Sequence, residues 1–156
     1  MDAERGHEFL DRFLERIEAP ASLALDRLFP GVEATLAALR RRGARLVLLS
    51  LRRSPDAFAG QVDRLGIGPA FELVDAGRAY EDGAASKRHL IERAGFGAAA
   101  AVVGDTEADI LAARALGLAS VGVTTGCEVG AICSAPARAR WWTGSAGCRR
   151  SWTPTT

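Results

Sequence analysis

The chain has 156 residues, 48% of them hydrophobic and 25% charged, with a formal net charge of +1. That length and apolar content support one domain with a real core and exclude several, while a charge so near zero names no partner. There is no cysteine before Cys127 and no apolar N-terminal run, so a cytoplasmic protein without signal peptide or membrane span is expected.

In chain order, Phe9, Leu10, Phe13, Leu14 and Ile17 recur at helical spacing and predict a helix within residues 1–19. A second helix is predicted from Val32 to Arg42, entered through Pro30 and Gly31 and closed by Gly43. Arg45 to Ser50 reads as a buried strand. Pro55 suits the first turn of a helix running to about Leu65 and ended by Gly66; Phe71 to Asp75 is then a short strand and residues 76–85 a loop. The spacing further predicts a helix from Lys87 to Ala94, a strand from Ala100 to Gly104, a helix from Glu107 to Leu116 closed by Gly117, and a strand from Ser120 to Val123. This alternation is that of a doubly wound α/β sheet, with crossovers long enough to require parallel pairing and right-handed connections.

The most informative stretch is Gly104-Asp105-Thr106-Glu107-Ala108-Asp109, where a short apolar strand delivers two carboxylates four residues apart at the mouth of a helix. Oxygen ligands suit a hard ion such as magnesium, and the carboxyl end of a strand in an open α/β sheet is where such folds place ligands. The same residues have a purely structural reading. Thr106 with Asp109 three positions on resembles a capping box, and an acid in the first turn favours the helix dipole.

Strand-end Ser50, then Lys87, then strand-end Gly-Asp-x-x-x-Asp resembles motifs two, three and four of the haloacid dehalogenase superfamily of phosphohydrolases. Leu28-Phe29-Pro30-Gly31-Val32 with Leu36, Leu39 and Gly43 is similar to the helix leading into motif two of the phosphoglycolate-phosphatase-like branch. Val121-Gly122-Val123-Thr124-Thr125-Gly126 is similar to the strand and substrate-side loop after motif four. The resemblance covers roughly Leu28 to Gly126.

It implies an α/β domain of the haloacid-dehalogenase type, a Rossmann-like three-layer parallel sheet, with residues 1–19 the remnant of a helical cap and 20–126 a partial core. It implies a magnesium-dependent phosphohydrolase acting on small phosphorylated metabolites such as 2-phosphoglycolate. In that chemistry a carboxylate nucleophile forms an aspartyl-phosphate that water hydrolyses, while magnesium and a lysine offset charge on the phosphoryl oxygens. By position, Asp105 is the expected metal ligand. Asp109 is a second carboxylate for the metal, holding a metal-bound water or Lys87. Ser50 is the expected phosphate hydrogen-bond donor and Lys87 the charge clamp. Ser50 could equally just end its strand, and Lys87 could be an exposed helix residue.

One departure matters. The family's nucleophile lies in an Asp-x-Asp ahead of the cap, and no Asp-x-Asp occurs in these 156 residues. The chain is therefore expected to begin after the nucleophile and to be catalytically impaired, or to serve as a non-catalytic module that binds phosphate and magnesium or a partner. The strands at 45–50 and 100–104 should also lose the neighbour they share, leaving backbone groups unpaired and a sheet open to self-association or to a strand from another chain.

Other patterns carry less. His7 and His89 lack metal-ligand spacing, and Cys127, Cys133 and Cys148 show no C-x-x-C. Arg40-Arg41-Arg42 ends a helix, where cations are favourable, so a solvated cap is expected and not a nucleic-acid patch. Gly95-Phe96-Gly97-Ala98-Ala99-Ala100 matches a dinucleotide-fold pattern but follows a helix and precedes a strand, the reverse of the required context. No G-x-S-x-G surrounds Ser50. Residues 1–126 hold 16 Lys plus Arg against 18 Asp plus Glu, whereas 127–156 hold four Arg, one Glu and all three cysteines and tryptophans. That tail reads as a frame-shifted product or a disordered extension. It is expected not to pack as core, although Trp141, Trp142 and Trp152 could cover apolar surface.

Overall fold

The structure is a computed structural model that describes residues 3–77, 82–97, 99–123 and 139–142. It divides into two compact units, residues 1–81 and 82–156.

The first unit contains α1 (Ala3–Ile17), α2 (Pro20–Leu23), α3 (Val32–Arg41), β1 (Val47–Leu51), α4 (Pro55–Arg64) and β2 (Leu73–Gly77). β1 and β2 pair in parallel, with Val47 opposite Leu73 and Leu51 opposite Gly77. Their connection carries α4, as parallel pairing requires. Ser54 caps α4 by accepting from the Ala57 backbone N at 3.2 Å, Pro55 occupies the first turn, and Gly66 follows the end at φ +70°. The helix buries Phe58, Gln61 and Val62, and among the described residues Leu23 of α2 is the other buried apolar residue of this unit. The Gln61 Nε2 donates to Asp26, and Arg64 donates to the Leu23 carbonyl, so α4 is tied to the segment after α2.

The second unit contains α5 (Gly83–Arg93), β3 (Ala101–Gly104), α6 (Glu107–Ala115), β4 (Ala119–Val123) and β5 (Ala139–Trp142). Its sheet has the order β3-β4-β5, both pairs parallel. α5 packs on α6 and α6 on β3 and β4. Leu90 and Ile91 from α5 and Ile110, Ala112 and Ala113 from α6 form the core, and the two small residues permit close approach of the helices.

Several boundaries differ from expectation for identifiable reasons. The strand expected at Phe71–Asp75 starts at Leu73, because Gly68–Ala70 forms a 3-10 turn whose Gly68 carbonyl takes the Phe71 N–H at 3.0 Å. The loop expected over 76–85 is too long: β2 runs to Gly77, and α5 starts at Gly83 because Asp82 caps it, accepting from Ala85 N at 3.0 Å. The ladders form two sheets and not one. Among the described residues, β1 and β3 each pair with a single strand.

One stretch of the tail, Ala139–Trp142, forms a strand. The backbone of Ala139–Trp142 pairs in parallel with β4, Ser120 opposite Ala139 and Val123 opposite Trp142. Gly126, Cys127, Cys133, Cys148 and Trp152 lie outside the described residues. Among the described residues, no helix is long and apolar enough to cross a membrane.

Candidate active site

In the second unit the end of β3 and the start of α6 form one compact arrangement. β3 stops at Gly104, Asp105 follows it, Thr106 is the N-cap of α6, and Asp109 is its third residue. Thr106 and Asp109 make the reciprocal contacts of a capping box. The Thr106 hydroxyl donates to Asp109 Oδ2 at 2.7 Å and the Thr106 backbone N to the same oxygen at 3.4 Å.

Asp109 does more than cap. It is 5% exposed, and a carboxylate so deep needs a charged or hydrogen-bonding partner. Lys87, in the second turn of α5, supplies one, with its Nζ 2.8 Å from Asp109 Oδ1 and side-chain exposures of 14% and 8%. Each carboxylate oxygen is thus assigned, Oδ1 to an ammonium and Oδ2 to Thr106. Lys87 is one of the two partners the resemblance left open for Asp109, the other being a metal-bound water.

Gly104 makes room for this carboxylate. A Cβ there would overlap the Cβ, Cγ and Oδ2 of Asp109, so any other residue at the end of β3 would expel it. The glycine is required by close approach of a side chain and not by a left-handed backbone, since Gly104 is absent from the positive-φ glycines.

The other sequence candidates fall elsewhere. Ser50 is the penultimate residue of β1 in the first unit, half-buried and opposite Ala76. Lys87 does not open its helix as expected; it sits in the second turn of α5 and makes a buried ion pair. His89 is exposed on α5, and the His7 side chain is not among those described. Arg40 donates to the Pro69 carbonyl at 2.7 Å and Arg42 is the C-cap of α3, in keeping with a helix cap. Gly95 follows the end of α5 at φ +70°, so the glycine-rich stretch opens after a helix and not before one.

The sequence marks Lys87 in a second way as well. It is the only lysine in the chain; all other residues of the Lys plus Arg total of 20 are arginine. Arginine's planar fork does not substitute for a compact ammonium in a small buried pocket. Gly104 and Thr106 were legible as a strand end and a cap, but not as the seat and tether of Asp109.

For a metal, the donors are hard oxygens of the type magnesium takes. Asp105 is half-buried, directly after β3 and outside the Lys87 pair. Among the described residues, no three His, Cys, Asp or Glu side chains cluster as a metal cage. The fit is therefore to an ion that uses one or two carboxylates and keeps waters, as magnesium does, and not to a dedicated protein cage.

Residues 2–117 match the family model for haloacid dehalogenase-like hydrolases. The chain is 37% identical over 120 residues to a phosphoglycolate phosphatase of Synechococcus elongatus, covering 74% of this chain and 55% of that protein. It is 38% identical over 104 residues to a phosphoglycolate phosphatase of Neisseria gonorrhoeae, covering 64% and 44%. It spans about half the length of these curated relatives. A haloacid dehalogenase-like hydrolase of Bacteroides fragilis shares the fold at a TM-score of 0.69 and 20% identity, over 92% of this chain and 70% of that one. With the family model spanning most of its length, its partial α/β core and the Gly-Asp-x-x-x-Asp carboxylates at a strand end, the chain belongs to the haloacid dehalogenase-like hydrolases.

Proposed function

We propose that this chain carries the metal-side and phosphate-side residues of a phosphatase for small phosphate monoesters, of which 2-phosphoglycolate is the type, and that as a polypeptide of these 156 residues it binds without turning over. The observation that carries this reading is the buried Lys87–Asp109 pair beside Asp105 at the end of β3. The likeness to two phosphoglycolate phosphatases supports the substrate class.

In this reading Lys87 holds its ammonium for a phosphoryl oxygen, offsetting negative charge where it is least solvated. Asp109 fixes that ammonium in place, its Oδ1 2.8 Å from the Nζ. Asp105 would hold magnesium, which when bound would supply Lewis-acid polarisation of a phosphoryl oxygen. Ser50, in the first unit, is proposed separately as a hydroxyl donor to phosphate. The nucleophile has no candidate, since the sequence contains no Asp-x-Asp, and covalent phosphoryl transfer to an aspartate is therefore not assigned to this polypeptide.

Calorimetric titration with magnesium, alone and with inorganic phosphate, tests the binding part. Weak binding is expected, abolished by Asp105→Asn. Equal heats for the parent and the Asp105→Asn, Asp109→Asn double variant would overturn it. Hydrolysis of p-nitrophenyl phosphate with magnesium should not exceed that of an Asp105→Ala control, and magnesium-dependent turnover above that control would overturn the non-catalytic part.

A further inference from the structure

The geometry points to Thr106 as a positioning residue for Lys87, acting through the Asp109 carboxylate and beyond its duty as a helix cap. This inference rests on the proposed role of Lys87 as the phosphate clamp.

A carboxylate on a short side chain has one soft torsion left once its Cα is fixed in a helix, the rotation that exchanges its two oxygens. In α6 that rotation is held from the side opposite Lys87. The Thr106 hydroxyl donates to Oδ2 at 2.7 Å, which turns Oδ1 to face Lys87 Nζ at 2.8 Å. Hydrogen bonds to an ionised acceptor are the stronger kind, and this one lies in a low-exposure environment that strengthens it further. Gly104 closes the third side, because its lack of a Cβ is the space the carboxylate occupies. Asp109 is thus bounded by a hydroxyl, an ammonium and a backbone, and only the hydroxyl belongs to a side chain whose change leaves the others in place.

A simple cap does not need this arrangement. The cap of α5 is Asp82 accepting from Ala85 N, and that of α4 is Ser54 accepting from Ala57 N; neither engages a buried ion pair through its cap. At α6 the capping residue also donates its proton, and the acceptor is the carboxylate that holds the chain's single lysine. A threonine hydroxyl can do both at once, having one donor and two acceptor positions. Valine, of the same shape, can do neither.

The single lysine makes the test direct. The full-length protein is treated with acetic anhydride, and the acetylation rate of Lys87 is read by mass spectrometry, separately from the N-terminal amine. Thr106→Val should raise that rate by about fivefold, the population change that losing one hydrogen bond brings, and Thr106→Ser should return it to the parent value. Ser54→Ala, which removes a cap without touching this carboxylate, should leave it unchanged. A parent-like rate in Thr106→Val, or a rate raised equally by Ser54→Ala, would overturn the inference, as would failure of Thr106→Ser to restore the parent value. A second arm adds inorganic phosphate with magnesium to the parent protein and asks whether Lys87 is protected. If phosphate gives no protection while Thr106→Val still releases Lys87, the phosphatase reading fails and the positioning role stands. If phosphate protects Lys87 but Thr106→Val behaves as the parent, the positioning role alone fails.

Discussion

Lys87 and Asp109 lie on different helices, yet their charged atoms meet at 2.8 Å with both side chains largely withdrawn from water. The pair joins α5 to α6 at the carboxyl end of β3 by polar contact, while Leu90, Ile91, Ala112 and Ala113 join the same helices by apolar contact. Burying two charges is costly, and a well-packed apolar pair of similar volume is often as stable. An ion pair kept at such a place is better explained by what the ammonium can do than by what the pair adds to stability.

Lys87→Met tests the cost of separating that pair. It leaves the Asp109 carboxylate buried with Thr106 as its remaining named donor, a mutation type that typically costs about 3–5 kcal/mol. The second unit should unfold at lower urea. Adding Asp109→Asn should recover a large part of the loss, because a neutral amide still bonds Thr106 and no longer needs a counter-ion. A double variant no more stable than Lys87→Met would show that the carboxylate is satisfied by something else.

Gly104→Ala should act on the same carboxylate from the opposite direction. The new methyl overlaps Asp109 from Cβ to Oδ2, and the overlap is with the root of a helix side chain that cannot swing away freely. Overpacking of this kind costs about 1–3 kcal/mol, with loss of the Lys87 contact as its visible consequence. Chemical-shift changes centred on Asp109 and Lys87, together with a lowered melting temperature, are expected. A variant as stable as the parent with an unmoved Lys87 would refute the steric account.

Much of this was legible in the sequence, for reasons that can be named. Helices α3, α4 and α6 announced themselves through apolar periodicity bounded by Gly43, Gly66 and Gly117, and their observed ends fall within a residue or so of those marks. The start of α5 did not, because its first turn is Gly83-Ala84-Ala85-Ser86, with no large apolar residue to set a period; the signal there is the Asp82 cap. The candidate carboxylates were visible as a spacing. That Asp109 meets Lys87 was available only as one of two alternatives implied by the resemblance, because the contact joins positions 22 apart and depends on how two helices pack. β5 was invisible for a different reason: Ala139-Arg140-Trp141-Trp142 has no alternation of apolar and polar residues, and parallel pairing through backbone bonds does not require one.

Arg53→Ala should loosen α1 without unfolding the first unit. Arg53 Nη1 donates to the Asp11 carbonyl at 2.9 Å and approaches the Asp11 carboxylate at 3.4 Å, while its backbone N donates to Glu18 Oε2 at 2.9 Å. These groups are exposed, so the side-chain contacts together contribute at most about 1 kcal/mol. Their effect should be local, since Phe9 and Phe13 of α1 are 67% and 48% exposed and anchor it little. Faster proteolytic cleavage near Arg16 with an unchanged global melting temperature is expected, and equal cleavage rates would show that α1 is held by other contacts.

Removing the tail should weaken the second unit, contrary to what composition alone suggests. Residues 127–156 have the look of a segment that could be trimmed at no cost: four Arg, one Glu and no apolar period. The backbone says otherwise. Ala139–Trp142 forms a parallel ladder with Ser120–Val123, and Ser120 and Gly122 of that partner strand are buried. Without β5, β4 becomes an edge, its backbone donors and acceptors on that side turn to solvent, and the ladder bonds are lost at about 1 kcal/mol each. A protein ending at Gly126 should therefore melt at a lower temperature than the full chain. Its amide hydrogens in Ser120 to Val123 should exchange faster, while those of Leu90 and Ile91, buried on the α5 side of the core, should lose less protection. The two measurements separate the possibilities. A lower melting temperature without faster exchange in β4 would place the tail's contribution elsewhere, and unchanged values in both would show that the β4–β5 ladder contributes nothing to the stability of the second unit.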